Sequence, residues 1–318
     1  MIFAGTPEFS AQILKALCNN GFYPQLVLTQ PPRPSGRGQK LKPSPVALLA
    51  ESLNLNLATP KSLKQNPEMV SMLSALKPEI MVVVAYGLIL PQNILDIPKL
   101  GCINIHASLL PRYRGASPIT ASLLHADLTT GISLMQMDAG LDTGPVLYQA
   151  EIPIAPKETT GSLTEKLAKL SADSIVTQLP LILNQKLKTK AQDPNLASHA
   201  PKIQKQDAQL NWHEKTAILL RKIFAYQPWP IAYTNIPQSQ QTIKIWDARA
   251  GSNNNQTQNP PGTVLKLSKQ GLEIATSDGS IEILELQFPN ENKISIADFL
   301  NNPNKLKLIS IGSSWLEK

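Results

Sequence analysis

Asn104 and His106 stand two residues apart in Gly101-Cys102-Ile103-Asn104-Ile105-His106-Ala107-Ser108-Leu109-Leu110-Pro111. The alternation is that of a β-strand, whose successive side chains point to opposite faces. Asn104 and His106 therefore share one face, while Ile103 and Ile105 fill the other. Both polar groups fall at the end of the strand, just before a loop. The pair offers one pocket an amide that can donate to developing negative charge and an imidazole that moves protons near neutral pH. A carboxylate would complete such a set by orienting the imidazole and stabilising its protonated form. Two candidates lie in Met137-Asp138-Ala139-Gly140-Leu141-Asp142-Thr143-Gly144-Pro145. Spacing alone does not choose between Asp138 and Asp142, and either could instead close an Asx turn.

The elements that must position these groups alternate in type. Strand-like runs fall at Met1–Ala4, Gln25–Gln30, Leu55–Ala58, Ile80–Ala85, Gly101–His106 and Ile132–Gln136. Between them, Thr6-Pro7, Ser44-Pro45, Asn66-Pro67 and Ser117-Pro118 each read as a helix cap followed by proline in the first turn. Strands alternating with helices predict a parallel α/β sheet, with ligands beyond the carboxyl ends of its strands. The first turn, Ala4-Gly5-Thr6-Pro7-Glu8-Phe9, has one glycine where a dinucleotide fingerprint needs three, so NAD is not expected. Gly36-Arg37-Gly38 sits in a proline-rich loop rather than between a strand and a helix, and is no phosphate fingerprint either. The first strand opens abruptly at Met1, as expected if residues are missing upstream.

Composition narrows the class. The chain has 318 residues, 42% of them apolar, enough for a large core and about two domains. The longest apolar run, Ile80 to Leu90, is well short of the ~20 residues that span a bilayer. No basic region followed by an apolar stretch opens the chain, so no secretory signal is expected and the location reads as cytoplasmic. Cys18 and Cys102 are too few for a disulfide framework, and neither has an activating context; four scattered His show no metal-ligand spacing.

A helix is predicted from about Thr160 to Leu183, with Leu163, Leu167, Leu170 and Ile175 at helical spacing. A Lys-rich, poorly periodic stretch, residues 185–206, reads as a linker between a first domain (1–184) and a second (207–318). In the second, a helix over His213–Tyr226 precedes strands near Tyr233–Ile236, Thr242–Ala248, Gly262–Leu267, Leu272–Thr276 and Ser280–Gln287. Five short strands suit a small OB-like β-barrel. Ser252–Asn259 reads as a flexible hairpin loop. Trp212, Trp229 and Trp246 suit either base stacking or the barrel core, with the core the commoner role.

Several segments carry a family resemblance: Phe3-Ala4-Gly5-Thr6-Pro7, Thr29-Gln30-Pro31, Gly36-Arg37-Gly38, Val84-Ala85-Tyr86-Gly87, the Asn104–Gly115 block and Met135–Gly144. In order along nearly the whole chain, they resemble the methionyl-tRNA formyltransferase family. The resemblance implies a Rossmann-like formyltransferase domain followed by an OB-like tRNA-binding domain. It implies transfer of formyl from 10-formyltetrahydrofolate, as co-substrate, to the α-amine of methionine on initiator tRNA, without metal or NAD. It matches Asn104, His106 and Asp142 to the family's Asn, His and Asp, selecting Asp142 over Asp138. Asn104 would donate to the oxyanion, His106 would act as general acid and base, and Asp142 would hold the imidazole in its tautomer. The folate pocket would involve Ser108, Leu109, Leu110 and Pro111 with Tyr86, Gly87 and Leu88. Arg112 and Arg114 read as contacts to the folate tail or tRNA terminus, or as solvated loop charges. The basic loop Gln30–Lys42, with Arg33, Arg37, Lys40 and Lys42 and no acid, would grip the tRNA acceptor end. Pro32 departs from the family pattern, which usually has Asp there. After Pro303 the match is weak.

Glycinamide ribonucleotide and sugar-nucleotide formyltransferases are the nearest alternatives, and a noncatalytic RNA-binding protein is the alternative from another class. Charge favours a tRNA partner. Of 30 Lys+Arg against 23 Asp+Glu, the basic loop holds four cations, and the linker holds five Lys and one Asp. The remainder is 21 basic against 22 acidic residues, so the excess of +7 resides in these two segments. No exposed apolar stripe calls for a second subunit, and a monomer is expected.

Overall fold

The computed structural model of the chain describes residues 1–36, 38, 40–236, 241–252 and 259–315. Arg37 and most of the Ser252–Asn259 segment lie outside the described residues. The chain divides into two compact units: Met1–Ile119 with Thr129–Pro153 and Leu163–Pro201, and Thr120–Leu128 with Ile154–Ser162 and the chain from Lys202. Among the described residues no helix is long and apolar enough to cross a membrane.

The first unit is built on a seven-stranded sheet. Its strands are β1 (Ile2–Gly5), β2 (Leu26–Leu28), β5 (Leu57–Ala58), β6 (Met81–Val84), β7 (Cys102–His106), β9 (Thr129–Gln136) and β10 (Val146–Pro153). The order across the sheet is β10-β9-β7-β6-β1-β2-β5. The five strands from β7 to β5 are parallel, as the alternation of strands and helices requires. The sheet is nonetheless mixed: β9 runs antiparallel to β7, and β10 antiparallel to β9. The turn-rich Met137–Pro145 loop lets β10 fold straight back on β9 as a hairpin. Strand β10 was not legible as such, because it is an edge strand with alternately exposed residues rather than an apolar run.

Apolar strand residues explain the core. Ile2, Ala4, Leu28, Met81, Val83 and Cys102 pack with Tyr86, Leu73 and Ile94. Burial pushes the Cys102 thiol up to about 12, with a smaller contribution from Asp96, so it is an inert core group. Helix α1 (Glu8–Asn19) begins after Pro7, not after Thr6 as the Thr-Pro signal suggested. The Thr6 hydroxyl instead donates to the carbonyl of Tyr86 at 2.8 Å, joining β1 to the segment after β6. Two of the other signals act as read. Ser44 accepts from Ala47 N at 3.0 Å to open α2 (Pro45–Ser52), and Asn66 accepts from Met69 N at 3.0 Å to open α3 (Pro67–Ala75). The basic loop folds as a short hairpin, β3 (Arg33–Ser35) against β4 (Lys40–Lys42). Helices α4 (Gln92–Leu95) and α5 (Pro118–Leu124) follow, and α6 spans Thr160–Leu183 with Leu163, Leu167 and Ile175 buried.

The second unit carries helix α7 (Thr216–Ala225) and an antiparallel sheet. The sheet comprises β12 (Tyr233–Ile236), β13 (Gln241–Ala250), β14 (Val264–Ser268), β15 (Gly271–Ala275) and β16 (Ser280–Gln287), in the order β12-β13-β16-β15-β14. Strand β17 (Ile294–Ser295) adds to β16. Among the described residues no pairing of β12 with β14 closes the ladder into a ring. Trp212 is core, its indole N–H donating to Thr234 Oγ1 at 3.1 Å, whereas Trp229 is exposed. Trp315, in the segment whose family resemblance is weak, packs edge-on against Trp212 with ring centroids 6.1 Å apart. The Trp315 amide bonds to Gly262 O, and Ser313 O accepts from Val264, so this tail is part of the second core.

Candidate active site

The site assembles where β7 ends. Asn104 lies opposite Val83 of β6 and Met135 of β9, and His106 opposite Ser133 of β9. The loop after β7 turns back over His106, and the Tyr113 carbonyl stands 2.9 Å from His106 Nε2. A carbonyl oxygen only accepts, so Nε2 carries the hydrogen and Nδ1 is left as the base of the neutral ring. His106 is only 6% exposed, so packing holds the ring in this pose. Tyr113 itself adopts a positive φ of 61°, a strained backbone for a bulky residue.

The Met137–Pro145 loop separates its two carboxylates by role. Asp138 Oδ1 accepts from Gly140 N at 3.0 Å and from the Thr143 hydroxyl at 2.7 Å, the local turn-closing pattern. Asp142 points the other way. Its Oδ1 accepts from Asn104 Nδ2 at 3.2 Å, and its Oδ2 accepts from Gly115 N at 2.8 Å. The same Oδ2 lies 3.6 Å from His106 Nδ1, long for a hydrogen bond, so the carboxylate faces the ring without bonding to it. Asn104, His106 and Asp142 are therefore brought together, with Asp142 at a positive φ of 54°. Tyr113, rather than Asp142, makes the bond that selects the tautomer. One Asn104 N–H is directed to Asp142, leaving the second for a ligand.

Residues 190–200, read from sequence as linker, pack against both loops. The Tyr113 amide donates to Ser198 Oγ at 2.9 Å, and β8 (Arg114–Gly115) pairs in parallel with β11 (His199–Ala200). Gly115 sits at φ 114°, where an added Cβ would meet Ala200 O at 2.7 Å, so only glycine fits this close approach. Arg114 is not a solvated loop charge. Its guanidinium is buried, and Nε and Nη2 donate to Gln192 Oε1 at 3.1 and 2.8 Å. Arg112 turns to Tyr113, lying 4.7 Å over the ring and donating from Nη2 to its hydroxyl at 2.5 Å.

The expected folate segments flank this centre. Ser108 is fully buried, and its hydroxyl donates to Arg112 O at 2.6 Å. Leu109, Leu110 and Pro111 follow, held by a knot at Ser133. The Ser133 Oγ donates to Ser108 O at 2.7 Å and accepts from Leu110 N at 3.0 Å and Gln149 Nε2 at 2.9 Å. Sequence reading missed Ser133 and Gln149, whose only signal is a hydroxyl and an amide among strand residues. After β6, the Tyr86 carbonyl accepts from Thr6 and, at 2.9 Å, from Gln30 Nε2. The Tyr86 ring is buried; its hydroxyl has no partner among the described residues, and burial pushes its ionisation strongly up. Gly87 at φ 77° faces Gln30 so closely that a Cβ would lie 2.3 Å from its Nε2; Leu88 follows, half-buried.

The hairpin register sorts the basic loop. Arg33 faces Lys42 and Ser35 faces Lys40, so Arg33, Lys40 and Lys42 share one face while Pro34 and Leu41 occupy the other. All three cations are exposed. Like charges directly opposite one another cost stability, so this hairpin concentrates positive charge against its own folding.

Comparison with known proteins agrees in two halves. Residues 1–179 match the formyl transferase family, and residues 202–304 match the formyl transferase C-terminal domain. A methionyl-tRNA formyltransferase of Legionella pneumophila (strain Philadelphia 1) is 45% identical over 302 residues, covering 95% of each chain. One from Nitrosococcus oceani is 46% identical over 303 residues, covering 95% of this chain and 92% of its own. The chain belongs to the methionyl-tRNA formyltransferase family.

Solved structures agree with that family at the level of fold. HypX from Aquifex aeolicus, determined in complex with tetrahydrofolic acid, is 16% identical with a TM-score of 0.60; the match covers 96% of this chain but only 47% of HypX. The N-formyltransferase from Helicobacter canadensis, determined with folinic acid and dTDP-3-aminofucose, is 18% identical with a TM-score of 0.61, covering 91% of this chain and 98% of its own. The family match stops at residue 304, whereas the second core extends to Trp315.

Proposed function

We propose that the chain transfers the formyl group of 10-formyltetrahydrofolate to the α-amine of methionine on initiator tRNA, with Asn104, His106 and Asp142 as the working groups. The relatives' shared name supports the substrate pair. The observation that carries the chemistry is the bond between His106 Nε2 and the Tyr113 carbonyl, because it leaves Nδ1 as the proton acceptor.

Attack by a neutral amine on the formyl carbon builds negative charge on oxygen and positive charge on nitrogen. The uncommitted N–H of Asn104 donates to that oxygen, a contact of the kind worth about 3 kcal/mol. His106 Nδ1 takes the proton from the attacking nitrogen and returns it to the departing one. Asp142, 3.6 Å from Nδ1, stabilises the imidazolium between the two transfers.

The folate segments suit a co-substrate recognised by main chain and apolar surface. The Ser108 hydroxyl is internally satisfied, and Leu110 and Tyr86 are buried. Arg33, Lys40 and Lys42 form a phosphate-binding face, and Arg37 is part of the same basic segment of the sequence. Charge neutralisation dominates nucleic-acid affinity, so this face suits a tRNA. The second unit serves as the further tRNA-binding domain. The chain acts in the cytoplasm as a monomer.

The test supplies purified protein with 10-formyltetrahydrofolate and charged initiator tRNA, and in parallel with glycinamide ribonucleotide. Formylmethionyl-tRNA is the expected product, and formylation of glycinamide ribonucleotide alone would reject the reading. His106→Ala should lower kcat by about a thousandfold; full activity in that variant would reject the mechanism.

A further inference from the structure

Gln192 lies outside the pocket-forming loops in sequence, yet all of its hydrogen-bonding capacity is directed to them. Its Nε2 donates to the carbonyls of Asp142 at 2.8 Å and Gly144 at 2.7 Å. Its Oε1 accepts the fork of Arg114 Nε and Nη2. Two donors and two acceptor sites are thus satisfied by two different loops. One loop carries Asp142. The other carries Tyr113, whose carbonyl holds His106, and Gly115, whose amide holds Asp142.

We infer that Gln192 is a positioning residue for the formyl transfer: a single amide that locks the carboxylate loop to the imidazole loop. The inference rests on the assignment of Asp142 and His106 above. The need for a lock follows from the backbone. Tyr113 holds a positive φ that its bulky side chain disfavours, a conformation that persists only when surroundings over-determine it, and Asp142 also sits in the left-handed region. Nothing within the Met137–Pro145 loop fixes the Asp142 main chain in the way that Asp138 fixes Gly140 and Thr143. Gln192 supplies that restraint from a third segment. Arg114, buried and oriented by Gln192, keeps the amide from flipping, because only the oxygen can face the guanidinium.

Gln192→Glu isolates the function. It preserves size and strengthens the acceptor for Arg114, while replacing the donor to Asp142 O and Gly144 O with an oxygen that both carbonyls repel. Gln192→Ala removes both. In each variant kcat should fall at least about tenfold, while KM for 10-formyltetrahydrofolate stays within about twofold, the pattern of a misplaced reacting group. Amide hydrogen exchange supplies a readout without turnover. The Gly115 N–H, held by Asp142 Oδ2, should exchange about tenfold faster, while core amides of Val83 and Ile105 keep their protection. An unchanged Gly115 amide or an unchanged kcat overturns the inference. So does loss of protection spread through the core strands, which would make Gln192 a general structural residue. Wild-type protein that fails to formylate charged initiator tRNA would reject the functional assignment instead, and would leave the Gly115 exchange result standing.

Discussion

The Tyr113 carbonyl holds His106 through Nε2 at 2.9 Å, and the opposite ring nitrogen faces Asp142 at 3.6 Å. A backbone group therefore sets the tautomer, and the carboxylate is left to act by its charge. This division of labour differs from a relay in which the carboxylate bonds the imidazole directly. It makes the loop after β7, rather than Asp142 alone, responsible for which nitrogen moves the proton.

Asp142 and Asp138 should then respond differently to the same isosteric change. Asp142→Asn keeps the shape but removes the negative charge and presents an amide to Asn104, so kcat should fall by about a hundredfold or more. Asp138→Asn keeps the oxygen that closes the turn on Gly140 and Thr143. Its kcat should stay within about threefold of wild type, with a stability loss below about 1 kcal/mol. Steady-state formylation and thermal melts of both variants decide the matter. Comparable kcat losses at the two positions would remove Asp142 from its special role.

Asn104 should show its contribution in the transition state rather than in binding. Asn104→Ala removes both the donor to Asp142 and the donor left for the oxyanion. The expected loss is about 3 kcal/mol, or roughly a hundredfold in kcat, with KM for folate little changed. A rise in KM at constant kcat would instead mean that Asn104 serves ground-state binding.

The parts of this centre legible in sequence were those written in short-range pattern. Strand alternation put Asn104 and His106 on one face, because side-chain direction along a strand has a period of two. The five strands of the second unit were marked by short apolar runs between turn residues. Choosing Asp142 over Asp138 needed either the family resemblance or the hydrogen bonds, since both carboxylates sit in the same turn-rich loop. Thr6 was misread as a cap because its hydroxyl is taken by the Tyr86 carbonyl 80 residues away. Gln192 and Ser198 were hidden for the same reason. They lie in a polar, aperiodic stretch, and their value comes from partners 50 and 85 residues distant. Long-range polar contacts leave no periodic trace.

Trp315 should prove necessary for the second unit although it follows the family match. It is 2% exposed and stacks edge-on with Trp212 in the core. Trp315→Ala leaves a large cavity, and such changes cost about 3 to 5 kcal/mol. Urea titration followed by tryptophan fluorescence should show that transition displaced to lower denaturant. A change below about 1 kcal/mol would mean that the tail is dispensable to the core.

The basic hairpin should govern tRNA and leave folate alone. Arg33, Lys40 and Lys42 share a face that pairs like charge with like charge across the strands, an arrangement that an anionic partner relieves. Neutralising Lys40 and Lys42 together should raise KM for tRNA by about tenfold at low salt. It should also flatten the dependence of log KM on log salt by about 0.7 to 0.9 for each phosphate that is no longer neutralised. KM for 10-formyltetrahydrofolate should stay within about twofold, and Leu41→Ala, on the opposite face, should leave the salt slope unchanged. Formylation assayed across a salt series separates the outcomes. A uniform rise in KM with an unaltered slope would show that these lysines shape the hairpin rather than touch phosphate, because only counterion release ties the slope to the charges removed.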